Sequence, residues 1–557
     1  MSRKVNYDNW SREELIKELR RIKETKYGLV WHRDLPEEKI DILINPDART
    51  PSEMFPNEMA GRPFPVLKEI KGKGIETDKV KAVNFLIEGD NYHSLAVLNF
   101  THQEAIDMIY IDPPYNTGQN DFRYNDRFVD RDDPFRHSKW LSFMEKRLKL
   151  AKNLLKPDGI IFISIDDNEQ AQLKMLCDEI FEEGHFYGCL TWVKRTKSTN
   201  SGKAKKMIQQ KIEYILVYGK ESSLAFRGFK LLFSGIKKQY PHQGKFGKCR
   251  FENLQATDYG RKKRDTMKFA ILGIYPRPGR RWQIGEKLAA ILVNEGKIEL
   301  VDGFPMRAFY PGDEEDESFV PFWSHFEKTG TAETGKQELG DIIGSDHGFD
   351  TVKPLPLIKL LLNRFNNNVV ILDFFAGSGT TGHAVIEENK KDGGNRQFIL
   401  CTNNENNICT DICYPRIKKV IKGYKNTKGD NVAGLGANLK YYTCDFVEAE
   451  PTDRNKRKLV NESTEMLCIK ENAFELVQDS SDFKIFKNNQ QYLGIIFYEE
   501  AIDDFKKSIK NVKGHFNIYV FSLGDDTHEK QFADVLGKVT LCAIPEVILK
   551  VYKEIFK

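Results

Sequence analysis

Residues 106–115, Ile-Asp-Met-Ile-Tyr-Ile-Asp-Pro-Pro-Tyr, decide the fold class. Met108 to Ile111 form a near-continuous apolar run, the pattern of a strand buried on both faces of a sheet. The run stops at Asp112-Pro113-Pro114-Tyr115, because two prolines lack the N–H that would continue a ladder. Upstream, Phe85-Leu86-Ile87 is a second short apolar run, closed by Gly89-Asp90 and followed by a helical pattern over 92–100. Downstream, the spacing predicts a helix over 139–155, closed by Lys156-Pro157-Asp158-Gly159. A strand from Ile160 to Ile165, the polar step Asp166-Asp167-Asn168 and a helix over 169–181 follow. Apolar strands alternating with helices predict an α/β fold with a parallel sheet covered on both faces.

The rhythm breaks at 191 and resumes at 369. Val369 to Asp373 reads as a strand, Phe374-Phe375-Ala376-Gly377-Ser378-Gly379 as a turn, and the stretch from Thr380 to Lys391 as a helix. Phe398 to Cys401 is the next strand. The intervening section, 191–335, is rich in Lys, Arg, Gly and aromatics. It holds one clear strand at 212–218 and an acidic run, Asp313 to Glu317, expected to be a solvated loop. Residues 11–31 read as an amphipathic helix opened by a Ser11/Glu14 capping box, and 46–65 as a proline-rich extended arm. Strands are expected at 492–498, 516–522 and 538–543, before a closing helix with Ile548, Val551 and Ile555 on one face. The expected divisions are 1–80, 81–190, 191–335, 336–430 and 431–557, the last a small α/β domain.

A chain of 557 residues has room for about three or four domains. Its 85 Lys and Arg nearly balance 81 Asp and Glu, so only local clustering can point to an anionic partner. Residues 191–220 hold eight basic residues, among them Lys194, Arg195, Lys197, Lys203, Lys205 and Lys206, against the single acid Glu213. Residues 261–281 hold eight more, including Arg261, Lys262, Lys263, Arg264, Arg280 and Arg281, against Asp265, with Tyr275 inside the run and Trp282 beside it. Basic side chains among aromatics suit phosphate contact and base stacking, so 191–335 is the expected nucleic-acid-binding section. Nine cysteines without a C-x-x-C pair point to a reducing compartment rather than disulfides. Neither Cys409 with Cys413 nor the scattered His93, His137 and His325 has the spacing of a metal site, and no metal is expected. Met1 to Trp10 is polar, and no apolar run approaches the roughly 20 residues that span a bilayer. A cytoplasmic protein with no membrane contact is the expectation.

Two constellations carry chemistry. Asp112-Pro113-Pro114-Tyr115 sits at the carboxyl end of a buried strand, where open α/β sheets bind ligands. The stiff turn can aim a carboxylate and a backbone carbonyl at one point, a pair that suits the two N–H groups of an exocyclic amine, and Tyr115 offers a face on which an extruded base stacks. The bland alternative is a Pro-Pro turn with a capping Asp. The second constellation is Asp373 to Thr381; its Gly377 and Gly379, with Gly382 directly after it, literally match G-x-G-x-x-G. That match leaves a nicotinamide dinucleotide open beside other nucleotide-like cofactors.

Asp112 to Tyr115 and Phe375 to Thr381 resemble the catalytic and cofactor motifs of DNA amino-methyltransferases. Their order, catalytic motif first, resembles the circularly permuted beta class. Asn84 to Asp90, Trp140 to Gly159, Ile163 to Glu169 and Cys401 to Tyr414 further resemble the modification subunits of type III restriction–modification systems. The resemblance implies a Rossmann-like methyltransferase core binding S-adenosylmethionine, with 191–335 as a target recognition domain. It implies adenine N6 as the methyl acceptor in double-stranded DNA, since Asp rather than Ser opens the tetrad; cytosine N4 is the alternative, and a non-catalytic specificity module a further one. Asp112 and the Pro113 carbonyl would bind the amine, Pro114 would stiffen the turn, and Tyr115 would stack. Asp373, Phe374, Phe375, Ala376, Gly377, Ser378, Gly379, Thr380 and Thr381 would form the cofactor turn. Asp90 would lie near the methionine part, unless it is only a helix cap, and Lys353 in Asp350-Thr-Val-Lys-Pro354 resembles a remaining cofactor motif. The ribose contact is left open between Glu405 and Asn403. The resemblance also implies a homodimer and a separate restriction subunit with ATPase and endonuclease activity, because no G-x-x-x-x-G-K-[ST] occurs in these residues.

Overall fold

The computed structural model describes residues 64–118, 121–124, 127–198, 208–221, 236–258, 264–314, 317–318, 322–448, 450, 452–488, 491–522, 528–544 and 548, together with 11–13, 15–16, 31, 202 and 206. Most of the expected N-terminal helix and arm, and Val551 and Ile555 of the closing helix, lie outside the described residues. Within the described residues no helix is long and apolar enough to cross a membrane.

The main unit, residues 1–230 and 323–557, is built on a ten-stranded sheet. In chain order the strands are β1 (Phe64–Glu69), β2 (Val83–Glu88), β3 (Ile106–Ile111), β4 (Leu155–Ile165), β5 (Phe186–Val193), β6 (Ile212–Gly219), β7 (His325–Phe326), β8 (Val370–Asp373), β9 (Gln397–Thr402) and β10 (Asn438–Val447). Their spatial order is β1-β10-β2-β9-β8-β3-β4-β6-β5-β7. The run from β10 to β4 is parallel, and β6 reverses against both β4 and β5. The helices used below are α1 (Asn91–Thr101), α2 (Arg136–Leu154), α3 (Gln170–Phe181), α4 (Ala332–Ile343), α5 (Leu355–Leu362), α6 (Thr380–Asp392), α7 (Tyr414–Lys422) and α8 (Asp453–Glu471). Ile109, Ile111, Ile161 and Ile163 are fully buried, which explains why these strands read as continuous apolar runs. On α2, Trp140, Leu141, Met144, Leu148 and Ala151 form the buried stripe.

Three expected boundaries shift. Phe64–Glu69 is an edge strand of the main sheet rather than part of an arm, because it pairs antiparallel with β10. β5, β6 and β7 also belong to that sheet, so the second compact unit is only Leu231–Phe322, narrower than 191–335. β10 likewise ties residues beyond 430 to the main sheet. The separate C-terminal sheet has five strands, Glu475–Asp479, Phe483–Lys487, Tyr492–Ile496, Phe516–Val520 and Val539–Leu541, two more than the sequence suggested.

The second unit holds a four-stranded sheet, His242–Gly244, Gly247–Asn253, Phe304–Phe309 and Ile298–Val301, and the helix Glu286–Asn294. Its small core gathers Leu254, Ile271, Trp282, Ala289, Leu292 and Ile298, with the Trp282 indole donating to Phe269 O at 2.7 Å. The acidic run there is not simply solvated. Glu314 accepts from Arg250 through both oxygens at 2.6 Å and from Lys238 at 2.9 Å, and Asp313 pairs with Lys297 at 3.0 Å.

One glycine is set by a close approach. A β-carbon at Gly335 on α4 would lie 2.4 Å from the Val352 carbonyl oxygen, one residue before Lys353. Gly335→Ala is expected to push that segment away and lower stability by about 1–3 kcal/mol in urea unfolding.

Candidate active site

β3 and β8 are far apart in the chain yet adjacent in the sheet, with Ile371 opposite Met108 and Leu372 opposite Ile109. From β8 the chain continues to its neighbour β9, and from β3 to its other-side neighbour β4, so the strand order switches between them. Ligands of open α/β sheets bind at such switch points. A cleft of about 1300 Å³ opens there, lined by Asp90, Asp112, Tyr115, Lys353, Phe375 and Glu405 among others. The two stretches that the sequence singled out therefore share one cavity.

Asp112 is engaged through both oxygens. The Tyr115 hydroxyl donates to Oδ1 at 2.7 Å, and Lys353 Nζ donates to Oδ2 at 2.7 Å. Lys353 Nζ also donates to the Tyr115 hydroxyl at 2.9 Å and lies 3.3 Å from Glu213 Oε2. Glu213 enters from β6, and its other oxygen accepts from Lys194 Nζ at 3.1 Å. Burial alone would depress the Lys353 ammonium; Asp112 and Glu213 override it and hold the group above its ordinary value. Burial pushes Glu213 up, but Lys353 and Lys194 bring it below the usual carboxylate range. The Tyr115 phenol is pushed well up by burial and by the two carboxylates. Pro113 is buried, and the Trp140 indole fixes the turn by donating to Pro114 O at 2.7 Å.

The glycine turn divides its labour. Gly377 (φ 51°) faces Phe349 at the cleft, whereas Gly379 (φ 78°) backs onto Cys413, whose sulfur would stand 3.0 Å from a β-carbon. Gly379 does not line the cleft, and its positive φ shapes the turn. Gly382 packs α6 onto α7 and β9, where a β-carbon would meet Ile417 and Leu400 at 2.9 Å. The Phe374 ring belongs to the hydrophobic core, and Phe374, Phe375 and Ala376 all contribute to the cleft wall. Ser378 and Thr380 turn their hydroxyls to the buried Arg416, whose Nη1 donates to them at 3.2 and 2.8 Å. Burial depresses that guanidinium to about 10. Asp373 accepts from Thr381 Oγ1 at 2.6 Å and from Phe375 N at 3.1 Å, and burial raises its carboxyl to about 7 against those bonds.

Asp90 is a helix cap that also lines the cleft. It caps α1 by accepting from Tyr92 N at 2.7 Å, and its side chain stays 46% exposed in the cleft. Arg147 Nη2 approaches it at 3.3 Å and, with His93, holds its carboxyl low against the opposing effect of burial. Glu405 and Asn403 both line the cleft; Glu405 pairs with Arg123 at 2.6 Å. Of the basic residues, Lys194 is half-buried and committed to Glu213, whereas Arg195, Lys197 and Lys206 are exposed. In the second unit Arg264 and Arg280 are exposed, and Arg281 donates to Trp282 O at 3.2 Å. Lys203, Lys205, Arg261, Lys262 and Lys263 lie outside the described residues.

Arg147, Phe143, Glu213, Arg123 and Arg416 were missed. Arg147 falls on the apolar stripe of α2, 2% exposed, with its guanidinium 3.6 Å from the Phe143 ring centroid. A charge on a buried stripe was the available signal, as was a lone carboxylate within the strand Ile-Glu-Tyr-Ile-Leu-Val-Tyr.

Residues 106–413 match the profile of a protein family described as DNA methylase. The StyLTI Mod subunit, of a type III restriction-modification enzyme of Salmonella typhimurium, is 37% identical over 352 residues, 57% of this chain and 52% of that protein. The chain thus spans about half the length of that relative. The EcoPI Mod subunit of Escherichia phage P1 is 31% identical over 469 residues, 71% of each chain. The type II methyltransferase M.KpnI of Klebsiella pneumoniae is 34% identical over 64% of this chain and 90% of that one.

The raised Asp373 carboxyl predicts a pH signature. A group whose pKa is higher folded than unfolded lends stability that is complete below about pH 4 and is lost as pH rises through about 7. Urea unfolding across that window is expected to show the decline in the wild-type protein and a flatter profile in Asp373→Asn.

Proposed function

The chain belongs to the DNA methylase family, among the relatives of type III modification subunits, and on that premise we propose that it methylates the N6 amine of adenine in double-stranded DNA. One observation carries the reading: Asp112 and the glycine turn at Gly377 stand at the ends of adjacent strands over one cleft.

The residues present fit S-adenosylmethionine. The half-exposed Asp90 carboxylate suits an ammonium, Phe375 and Ile408 supply apolar wall, and Glu405 or Asn403 suits a ribose diol. When bound, that group supplies a methyl on a sulfonium, an electrophile whose leaving group is a neutral thioether. The chain's own task is positioning and electrostatics. Asp112 and the Pro113 carbonyl accept the two amine hydrogens and hold the nitrogen lone pair toward the methyl. Tyr115 stacks on the base, which leaves the duplex to reach the cleft. As the nitrogen–carbon bond forms, the amine becomes acidic, and Asp112 is placed to take the proton late. Arg195 at the cleft, Lys197 two residues on, and Arg264 and Arg280 in the insertion are exposed cations suited to phosphates. In this reading Leu231–Phe322 recognises the target sequence, and the protein works as a homodimer beside a separate ATP-driven restriction subunit.

Digesting treated DNA to nucleosides and weighing them is expected to give N6-methyladenine; N4-methylcytosine alone would overturn the choice of base. Asp112→Ala is expected to lower the methylation rate at least about 10³-fold with DNA affinity within about twofold, the mark of an interaction made in the transition state. Arg280→Ala is expected to weaken DNA binding evenly across sequences and to reduce the salt slope of log K by about one, as removal of one phosphate contact does. Titrations by fluorescence anisotropy at several salt concentrations measure that slope.

A further inference from the structure

Two donors occupy the Asp112 carboxylate, and both have the same second acceptor. Lys353 Nζ, 2.7 Å from Asp112 Oδ2, is also 3.3 Å from Glu213 Oε2. The Tyr115 hydroxyl, 2.7 Å from Asp112 Oδ1, is also 3.2 Å from Glu213 Oε2. Lys194 Nζ holds the other Glu213 oxygen at 3.1 Å, so the carboxylate faces Lys353 and Tyr115 in a fixed orientation. Lys353 and Glu213 are both buried, and the four charged groups form two anions and two cations.

Each Asp112 oxygen can accept a second hydrogen bond, so an incoming amine meets an acceptor shared with Lys353 and Tyr115 and is held most strongly where one of those donors turns away. A buried ammonium released without another anion to receive it is strongly disfavoured. Glu213 removes that obstacle because it is already in reach of both donors.

We propose that Glu213 is a positioning residue for methyl transfer: it receives Lys353 and the Tyr115 hydroxyl as Asp112 turns to the target amine. The inference rests on the reading of the cleft as a methyl-transfer site. Glu213 touches neither reacting atom; it acts by freeing Asp112 while keeping the buried charges paired. Without its charge, Lys353 stays on Asp112 and competes with the amine.

The test is single-turnover methylation at saturating S-adenosylmethionine and DNA. Glu213→Gln is expected to slow the rate on the order of 10- to 100-fold, the range of a misplaced catalytic group. Its Kd for S-adenosylmethionine and for DNA should stay within about twofold of wild type, and Glu213→Asp should restore most of the rate. Adding Lys353→Met to Glu213→Gln should speed it, because the competitor for Asp112 is gone. A wild-type rate in Glu213→Gln, or a double variant slower than Glu213→Gln, overturns the proposal while leaving an active wild-type protein as a methyltransferase. If Glu213→Gln fails to fold, the comparison is the double variant against Lys353→Met alone. Rates within about threefold support the proposal, because Glu213 then acts through Lys353; a larger loss overturns it. A wild-type protein that methylates nothing defeats the underlying reading, and this inference with it.

Discussion

The Lys353 ammonium is the point on which the site closes. It draws together the turn after β3, the strand β6 and the segment before α5, stretches far apart in sequence. Glu213 and Lys353 are both buried, and each is held in its charged form by the opposite charges around it against the effect of burial. Lys194 completes the balance from the far side of Glu213. The geometry of Asp112 is therefore a property of four side chains rather than of the proline turn alone.

The sheet supplies the frame for that pairing. Parallel strands end in the same direction, so β2, β3, β8 and β9 deliver Asp90, Asp112, Asp373 and Asn403 to one rim. Buried arginines brace the rim from behind. Arg416 holds the hydroxyls of the glycine turn, and Arg147 ties α2 to Asp90 and, through Nε at 2.5 Å, to Asn91. Asn91 in turn donates to Phe374 O at 2.9 Å, joining the start of α1 to the cofactor turn. A guanidinium suits such bracing because its five donors lie in one rigid plane.

Much of this was legible in the sequence because the physics was local. A strand buried on both faces must be apolar throughout, and a Pro-Pro turn must end it, so Met108 to Tyr115 could be read without knowing the partners. The glycine turn was likewise written in Gly377 to Gly382, although which glycine meets the cleft depends on Cys413 and Ile417 from another helix. What stayed hidden depends on pairing across long separations. Glu213 sat inside a basic run and looked incidental, until β6 laid it beside Lys353. Glu314 looked solvated because Arg250 lies 64 residues away. Basic composition continues through β6, whereas sheet membership follows hydrogen bonds, so the compact unit is narrower than the basic section.

The chain departs for the insertion after β6 and returns at β7, and in the sheet these two strands flank β5. The excursion thus begins and ends on the antiparallel margin, beyond β4, and none of the strands bearing Asp112 or Asp373 is continuous with it. A longer, shorter or unrelated segment could be spliced between those two points without altering the register of β3 against β8. The architecture separates what must be held to a fraction of an ångström from what is free to diversify, so new insertions can be tried on an unchanged catalytic frame.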